Sequence, residues 1–167
     1  IKRKGIDDFI RLSRRMPEYE FIWFCKLDRA LMSPEIKKEM VDLPDNFRTP
    51  GYVNSQDLRQ AYSGSDLYLF LTHEETEGIV LLEALATKAK ILIRDIEIFR
   101  DDYKDGENIY KGQTLDDFER KIKGILEGRL RDLSDIAYKK AKEKSIEKTG
   151  KRLVDLYERT MRNEINS

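Results

Sequence analysis

Short, uninterrupted apolar runs alternate with helical patterns along most of this 167-residue chain. Three of these runs, at residues 21–24, 67–71 and 91–93, have the length and composition of strands that are buried on both faces. Between them, apolar residues recur at helical spacing. Strands that alternate with helices usually pair in parallel, because each helix returns the chain to the same edge of the sheet. The sequence therefore predicts an α/β fold with a parallel sheet and helices on both faces.

Capping residues and chain breakers set the expected helix boundaries. Ser33 is placed to cap a helix whose first position is Pro34, and Asn54 or Ser55 can cap the next one. Thr114 precedes a further helix with two aspartates in its first turn, which the helix dipole favours. On these signals, helices are expected at residues 6–15, 32–40, 56–63, 78–87 and 115–126 and over most of 131–162, a further strand at 47–53, and a turn at 105–108.

Composition excludes several classes of protein. Acidic and basic residues balance at 32 each, which argues against a nucleic-acid binder. The single cysteine, Cys25, cannot form an internal disulfide, which suits a reducing cytoplasm, and its apolar surroundings predict a buried thiol. The single histidine, His73, has no second His or Cys with which to share a metal, so we expect no metal and no other cofactor. No transmembrane segment or signal peptide is recognisable, and a cytoplasmic location is expected.

Two glutamates, Glu75 and Glu83, lie in the loop and helix that follow the apolar run at residues 67–71. Open parallel sheets bind ligands at the carboxyl ends of their strands, so a ligand is expected at this loop. A helix that begins near Gly78 presents free amides and its positive dipole end, which suit a diphosphate. Glu83 could then accept hydrogen bonds from a ribose, and Glu75 from a second polyol. This arrangement matches a nucleotide sugar.

An ordinary surface helix is the alternative interpretation of the same two glutamates. Two glutamates at this interval are common by chance, and the pattern alone favours that alternative. The context favours a site, because Glu83 stands between Leu82 and Ala84 in a nearly apolar helix, where a carboxylate is costly without a partner. A bound diol, a lysine or a backbone amide would each be such a partner.

The segment from Glu75 to Ala86, with seven residues between its two glutamates, resembles the signature of the retaining family-four (group 1) glycosyltransferases. Other stretches resemble that family in the same order along the chain. They are the Lys4-Gly5 pair before the first helix, the base-binding turn at 51–53, the block at 58–70 in which an aspartate precedes an apolar strand, and the late turn at 105–108. The resemblance covers about residues 1–128.

The resemblance implies the GT-B fold, in which two Rossmann-like domains face a cleft. This chain would be the C-terminal, donor-binding half, with the N-terminal acceptor domain absent. A single domain is expected over residues 1–167, made of a Rossmann-like core at 1–128 and C-terminal helices at 129–167. The family's usual first strand, and an arginine that precedes its Lys-Gly pair, would lie before Ile1.

Residue roles also follow from the resemblance. Lys4 would neutralise the donor diphosphate and Glu75 would bind hydroxyls of the transferred sugar, which makes these two the catalytic candidates. Glu83 would hold the ribose. The remaining donor contacts would be made by Val53 to the base, by Thr76, Glu77 and Gly78 to the sugar, and by Ile79 and Val80 to the diphosphate. The anomeric configuration would be retained without a metal, while Lys4 and the helix end stabilise charge on the leaving phosphate.

Two departures from the family pattern bear on the donor. Thr76-Glu77-Gly78 stands where the family often has Gly-Phe-Gly, so Glu77 could change the sugar contact. A glycine common near Lys88 is missing.

Stretches at 2–9, 21–24 and 74–80 look closest to bacterial 1,2-diacylglycerol 3-alpha-glucosyltransferases, which act in glycolipid synthesis. This similarity implies UDP-glucose as donor, diacylglycerol as acceptor, and hexosyltransferase activity that the isolated domain would lack. A soluble or cell-wall polysaccharide acceptor is one alternative. A non-catalytic Rossmann-like nucleotide-binding module is another, because a fold alone does not establish chemistry.

The C-terminal region is rich in basic residues interleaved with acidic ones. Alternating charge usually marks a solvated helix face, which is the favoured interpretation. A peripheral contact with an anionic membrane surface, and a return of the last helix to the acceptor domain, are alternatives. The basic residues concerned are Lys139, Lys140, Lys142, Lys144, Lys148, Lys151 and Arg152.

Overall fold

A computed structural model describes residues 2–25, 30 and 32–165, with side chains described as far as residue 162. The helices are α1 (Ile6–Arg15), α2 (Pro34–Glu39), α3 (Ser55–Gly64), α4 (Ile79–Ala86), α5 (Leu115–Leu126), α6 (Ser134–Glu143) and α7 (Ile146–Ile165). Short 3₁₀ helices form at Lys2–Lys4 and Glu97–Phe99. The strands are β1 (Phe21–Ile22), β2 (Phe47–Arg48), β3 (Tyr68–Phe70), β4 (Ile91–Arg94) and β5 (Tyr110–Gly112).

All the strand pairs are parallel, as predicted, but the strands are divided between two sheets. β1 pairs with β2, and β4 lies between β3 and β5 in a three-stranded sheet. The strand expected at residues 47–53 stops after Arg48, because Pro50 has no N–H to donate and Gly51 turns the chain at a φ of 85°. β5 was not predicted, because a lysine and a glycine interrupt its apolar pattern.

Helices cover both faces of the three-stranded sheet. In β4, Leu92 packs into a cluster with residues of α1 and α5, whereas Ile91 and Ile93 pack with residues of α3, α4 and α6. This alternation follows from the two-residue period of a strand, which points successive side chains to opposite faces. The predicted arrangement of a parallel sheet between two helical layers is therefore confirmed.

Two kinds of N-terminus begin the helices. Side chains cap α2, α3 and α5, where Ser33, Asn54 and Thr114 accept backbone N–H groups as predicted. By contrast, α1 and α4 begin after Gly5 and Gly78, which adopt the left-handed conformation and supply no side-chain cap. The first-turn amides of these two helices are therefore left without a side-chain acceptor at the cap position.

The last two helices differ in how they contact the rest of the chain. α6 packs against α4 and buries Ala137 in the core. α7 buries none of its described side chains, and its large apolar residues are exposed. None of the helices in the described part of the chain combines the length and apolar character needed to span a bilayer. Cys25 is exposed, so the prediction of a buried thiol is wrong, because β1 ends before it.

Candidate functional site

Two segments meet at the carboxyl end of β3. The backbone N–H of His73, in the loop after β3, donates to the carbonyl of Arg3 at 2.7 Å. Next to this contact, Lys4 Nζ lies 2.5 Å from Glu75 Oε2. The Lys4 side chain is 37% exposed and that of Glu75 only 10%. The structure therefore joins the two catalytic candidates in one ion pair, in which Lys4 is the more exposed partner.

Gly5 allows the segment that carries Lys4 to pack against the segment that carries Glu75. A Cβ added at Gly5 would lie 2.2 Å from the carbonyl oxygen of Leu71, and the backbone φ of 74° is one that other residues rarely adopt. The absence of a side chain lets the start of α1 pack directly on the end of β3. The 3₁₀ turn that carries Lys4 is thereby held against the loop that carries Glu75.

The Glu75 carboxylate has a partner for each oxygen. Lys4 donates to Oε2, and the backbone N–H of Thr76 donates to Oε1 at 3.1 Å. The hydrogen bond from Lys4 holds the pKa of Glu75 below its ordinary value, and the Thr76 amide adds to that effect. Glu75 is therefore ionised at neutral pH and held in one orientation.

The N-terminus of α4 begins just beyond Glu75. Gly78, at a φ of 76°, is buried, and a Cβ added there would lie 3.7 Å from Glu75 Cγ and 3.1 Å from the ring of Phe99. The side chains of Ile79 and Val80 are 60% and 39% exposed, so this helix end faces solvent. An anion could reach the first-turn amides, and the helix dipole would favour it.

Glu83 is exposed, so the expectation that it lies in apolar surroundings is wrong. α4 turns Leu81, Ala84 and Leu85 towards the core and places Glu83 on the outer face. Its carboxylate therefore needs no protein partner to offset burial. This position leaves Glu83 accessible to a ligand.

Two tyrosines lie near the predicted glutamates. Burial raises the pKa of Tyr62, in α3, to about 12, and the negative charge of Glu83 contributes. Burial also raises the pKa of Tyr68, with smaller contributions from Tyr62, Glu83 and Glu75 in that order. Both phenols therefore stay protonated at neutral pH.

The other residues predicted to bind the donor have fewer contacts with Lys4 and Glu75. Thr76 and Glu77 are exposed in the loop, and Val53 is half-buried between β2 and α3. Within the part of the chain that the structure describes, hydrogen bonds join Lys4, Glu75 and Thr76 but do not extend to Val53.

Three polar residues beside this site, Arg94, Asp8 and His73, were not assigned to it from the sequence. Arg94 ends β4 and contacts Asp8 in the first turn of α1. Asp8 Oδ2 also lies 3.2 Å from Nε2 of His73. One feature of the sequence could have indicated these contacts: an arginine directly follows the apolar run at 91–93. A charged residue at the end of a buried strand usually has a specific partner.

Asp7, Asp8 and His73 each bring one possible metal-ligand atom within 4.8 Å of the others. Asp8 already contacts the Arg94 guanidinium, whose charge takes the place that a cation would fill. We therefore assign no metal to this cluster, and the expectation that the chain needs none stays a prediction.

Comparison with known proteins identifies the family to which the sequence belongs. Residues 1–144 match the family model described as glycosyl transferases group 1. A processive diacylglycerol alpha-glucosyltransferase of Acholeplasma laidlawii is 37% identical over 161 residues, which are 96% of this chain and 48% of that protein. The chain therefore spans about half the length of this curated relative.

Solved structures share the fold. Sucrose-phosphate synthase from Thermosynechococcus elongatus superposes with a TM-score of 0.83 at 16% identity, over 98% of this chain and 44% of the other. The Anabaena protein HepE, solved in complex with UDP-glucose, superposes with a TM-score of 0.73 at 15% identity, over 86% of this chain and 42% of the other. At these identities the likeness concerns the fold alone, and it confirms the predicted half of a GT-B fold.

Proposed function

This chain belongs to the group 1 glycosyl transferases, and from that membership we propose that it forms the donor half of a hexosyltransferase that uses a UDP-sugar. The observation that carries the proposal is the Lys4–Glu75 ion pair beside the uncapped N-terminus of α4. A cation, a fixed carboxylate and free amides at the carboxyl end of a parallel strand are the groups that a sugar diphosphate requires.

The diphosphate would lie between Lys4 and the start of α4. An ammonium group has three donors, and one of them is used by Glu75 in this structure. The others can reach a phosphate oxygen on the exposed side of Lys4. The amides of Ile79 and Val80 would bind the same group from the helix end, where the dipole favours negative charge.

The two ends of the donor would bind on either side of the diphosphate. Glu75 would accept hydrogen bonds from hydroxyls of the sugar, supported by the loop residues Thr76, Glu77 and Gly78. Exposed Glu83 would accept those of the ribose, and the backbone near Val53 would contact the base. HepE, whose fold this chain shares, was solved with UDP-glucose, which supports this donor class.

Transfer would retain the anomeric configuration. The bond between the anomeric carbon and the diphosphate oxygen breaks, an acceptor hydroxyl bonds to the same face of that carbon, and the leaving phosphate takes the hydroxyl proton. Lys4 and the α4 amides would stabilise the charge on the departing diphosphate, a task that does not require a metal.

Diacylglycerol is the acceptor that we propose, in glycolipid synthesis on the cytoplasmic side of a membrane. The support is the 37% identity to a diacylglycerol glucosyltransferase. The acceptor would be held by an N-terminal domain of the full-length protein, and the basic residues of α6 and α7 would allow peripheral contact with anionic lipid. Full-length protein given UDP-glucose should glucosylate diacylglycerol in vesicles; transfer only to a soluble saccharide would reject this acceptor.

Calorimetric titration of single-residue variants tests the donor site. Glu83→Ala should weaken UDP and UDP-glucose to the same degree, on the order of tenfold, because both ligands carry the ribose. Glu75→Ala should weaken UDP-glucose and leave UDP nearly unchanged, because only the sugar is lost as a partner. Glu74→Ala, in the same loop, is the matched control. UDP-glucose binding that survives both changes would refute these roles.

A further inference from the structure

Arg94 is a buried arginine with a partner for each of its three nitrogens. The residue is 9% exposed. Its Nε donates to the carbonyl of Leu71 at 3.0 Å and its Nη1 to that of Gln113 at 3.0 Å. Its Nη2 donates to Asp8 Oδ2, and the guanidinium lies 5.2 Å from the ring centre of Phe118. This geometry leaves the side chain a single orientation.

Two of the three hydrogen-bond partners of Arg94, Asp8 and Leu71, belong to the two segments that carry Lys4 and Glu75. Asp8 lies in the first turn of α1, four residues after Lys4. Leu71 directly follows β3 in the segment that continues to Glu75, and Gly5 packs against its carbonyl oxygen. One guanidinium therefore ties the start of α1 to the residue that follows β3.

Asp8 also requires a cation for electrostatic reasons. Its side chain is 13% exposed, and a carboxylate that is buried without a partner is strongly unfavourable. His73 lies 3.2 Å from the same oxygen, and Arg11 lies 3.7 Å from the other oxygen. Without Arg94, Asp8 would carry a less compensated negative charge in the helical turn that follows Lys4, where it would attract Lys4 away from Glu75 and repel a diphosphate.

We propose that Arg94 is a positioning residue for the donor site: through Asp8 and the Leu71 carbonyl, it holds Lys4 against Glu75 and keeps the diphosphate end of the site positive. This inference rests on the proposed donor-binding function. Arg94 is not assigned a contact with the ligand, because the residue is buried and each of its three nitrogens already donates to a protein oxygen.

Lys111 offers a matched control for a purely structural role. It is a buried cation on the neighbouring strand β5, 7% exposed, and it binds Asp95 and the carbonyl of Phe99. Replacing it should destabilise the fold much as replacing Arg94 does. Among the described residues, neither hydrogen-bond partner of its ammonium group belongs to the segment that carries Lys4.

The experiment compares wild type, Arg94→Gln, Arg94→Lys and Lys111→Met in two measurements. NMR pH titration follows the Glu75 carboxyl group, and calorimetry measures the binding of UDP. In Arg94→Gln the pKa of Glu75 should rise towards its ordinary value. UDP binding should weaken on the order of tenfold, because the less compensated Asp8 then draws Lys4 away from the diphosphate and repels it, which does not happen when only Glu75 is removed. Lys111→Met should leave both values at those of wild type.

Arg94→Lys keeps the positive charge but cannot make all three hydrogen bonds of the guanidinium. If Arg94→Gln does not fold, this variant tests whether Arg94 positions Lys4. It should raise the Glu75 pKa in part and weaken UDP severalfold. An unchanged Glu75 pKa in Arg94→Lys, or equal losses in the Arg94 and Lys111 variants, would overturn the inference. Failure of the wild type to bind UDP would refute the proposed function instead, and the Glu75 titration would still test the role of Arg94.

Discussion

Gly5 sets the distance between the two segments that carry Lys4 and Glu75. Its φ of 74° and its contact with the Leu71 carbonyl exclude any side chain. Gly106 shares the positive φ, at 72°, but an added Cβ there would meet no atom within 4 Å. A comparison of alanine substitutions at Gly5 and Gly106 therefore separates the effect of backbone strain from that of steric overlap.

Gly5→Ala should destabilise the fold by about 3 kcal/mol or more, because strain and overlap add. Gly106→Ala should cost only about 1 kcal/mol, the strain alone. Urea unfolding of the two variants measures both values. Equal losses would show that Gly5 is not held against Leu71.

Ionisation of Glu75 gives the stability a specific pH dependence. Because Lys4 lowers the folded-state pKa of Glu75 below the ordinary value of 4.5, the pair stabilises the fold above about pH 4.5. That contribution disappears as the pH falls through the folded-state pKa. Its size should be at most about 1 kcal/mol, since Lys4 is partly exposed to solvent.

Glu75→Gln should therefore be less stable than wild type at pH 7, and the difference should vanish in acid. Free energies of unfolding measured between pH 7 and pH 3 test this, with Glu74→Gln as control for the removal of one carboxylate from the same loop. A Glu75→Gln deficit that grows as the pH falls would contradict the ion pair.

Local signals in the sequence indicated where the candidate residues lie better than they described their surroundings. The structure brings Lys4, Glu75 and Gly78 together at the carboxyl end of β3, because a glycine before a helix and a loop after a buried strand are local patterns, and their roles in donor binding stay predictions. The apolar neighbours of Glu83 in the sequence gave a wrong picture, since α4 separates them onto its inner face. Arg94 was missed because its partners are 19 to 86 residues away.

At the level of elements, the helices were predicted more accurately than the strands. The expected α1 and α5 have the observed boundaries, because caps and periodicity are local. β5 contains Lys111, which can be buried only because Asp95, from the segment after β4, pairs with it. Such long-range pairing is invisible in the local pattern.

The N-caps of α3 and α2 should differ in how much they stabilise the fold. Asn54 accepts the N–H groups of Gln56 and Asp57, each at 2.9 Å, so Asn54→Ala should cost about 1 kcal/mol. Ser33, the cap of α2, makes a longer contact of 3.5 Å, and Ser33→Ala should cost less than about 0.5 kcal/mol. Thermal unfolding compares the two, and a larger loss at Ser33 would contradict this assignment of caps.

For the whole molecule, the sequence predicted the layers and the parallel pairing, but not the division of the strands into two sheets. Which strands pair depends on which strand edges meet in the folded chain, and an apolar run in the sequence does not indicate its partner. The division into a core at 1–128 and C-terminal helices at 129–167 stays a prediction, although α6 contributes Ala137 to the core.

The two C-terminal helices should differ in their importance for stability. The apolar side chains of α7 at Leu153, Val154, Leu156, Tyr157 and Met161 are 51 to 64% exposed. Removal of residues 146–167 should therefore change the free energy of unfolding by less than about 0.5 kcal/mol. Removal of residues 131–167 also deletes the buried Leu133 and should cost about 2 kcal/mol or more. Equal losses in urea unfolding would place α7 in the core.

We propose that the carboxyl edge of β3 binds a nucleotide sugar through Lys4, Glu75 and the start of α4. This binding can be followed amide by amide in an NMR titration of the chain with UDP-glucose. We expect saturable shifts concentrated at residues 3–5, 73–80 and 83. A cavity of about 260 Å³, lined in part by Lys90, Tyr110 and Arg131, provides the contrast. No binding at about millimolar ligand, or shifts confined to that cavity, would rule out a donor site at the carboxyl end of β3.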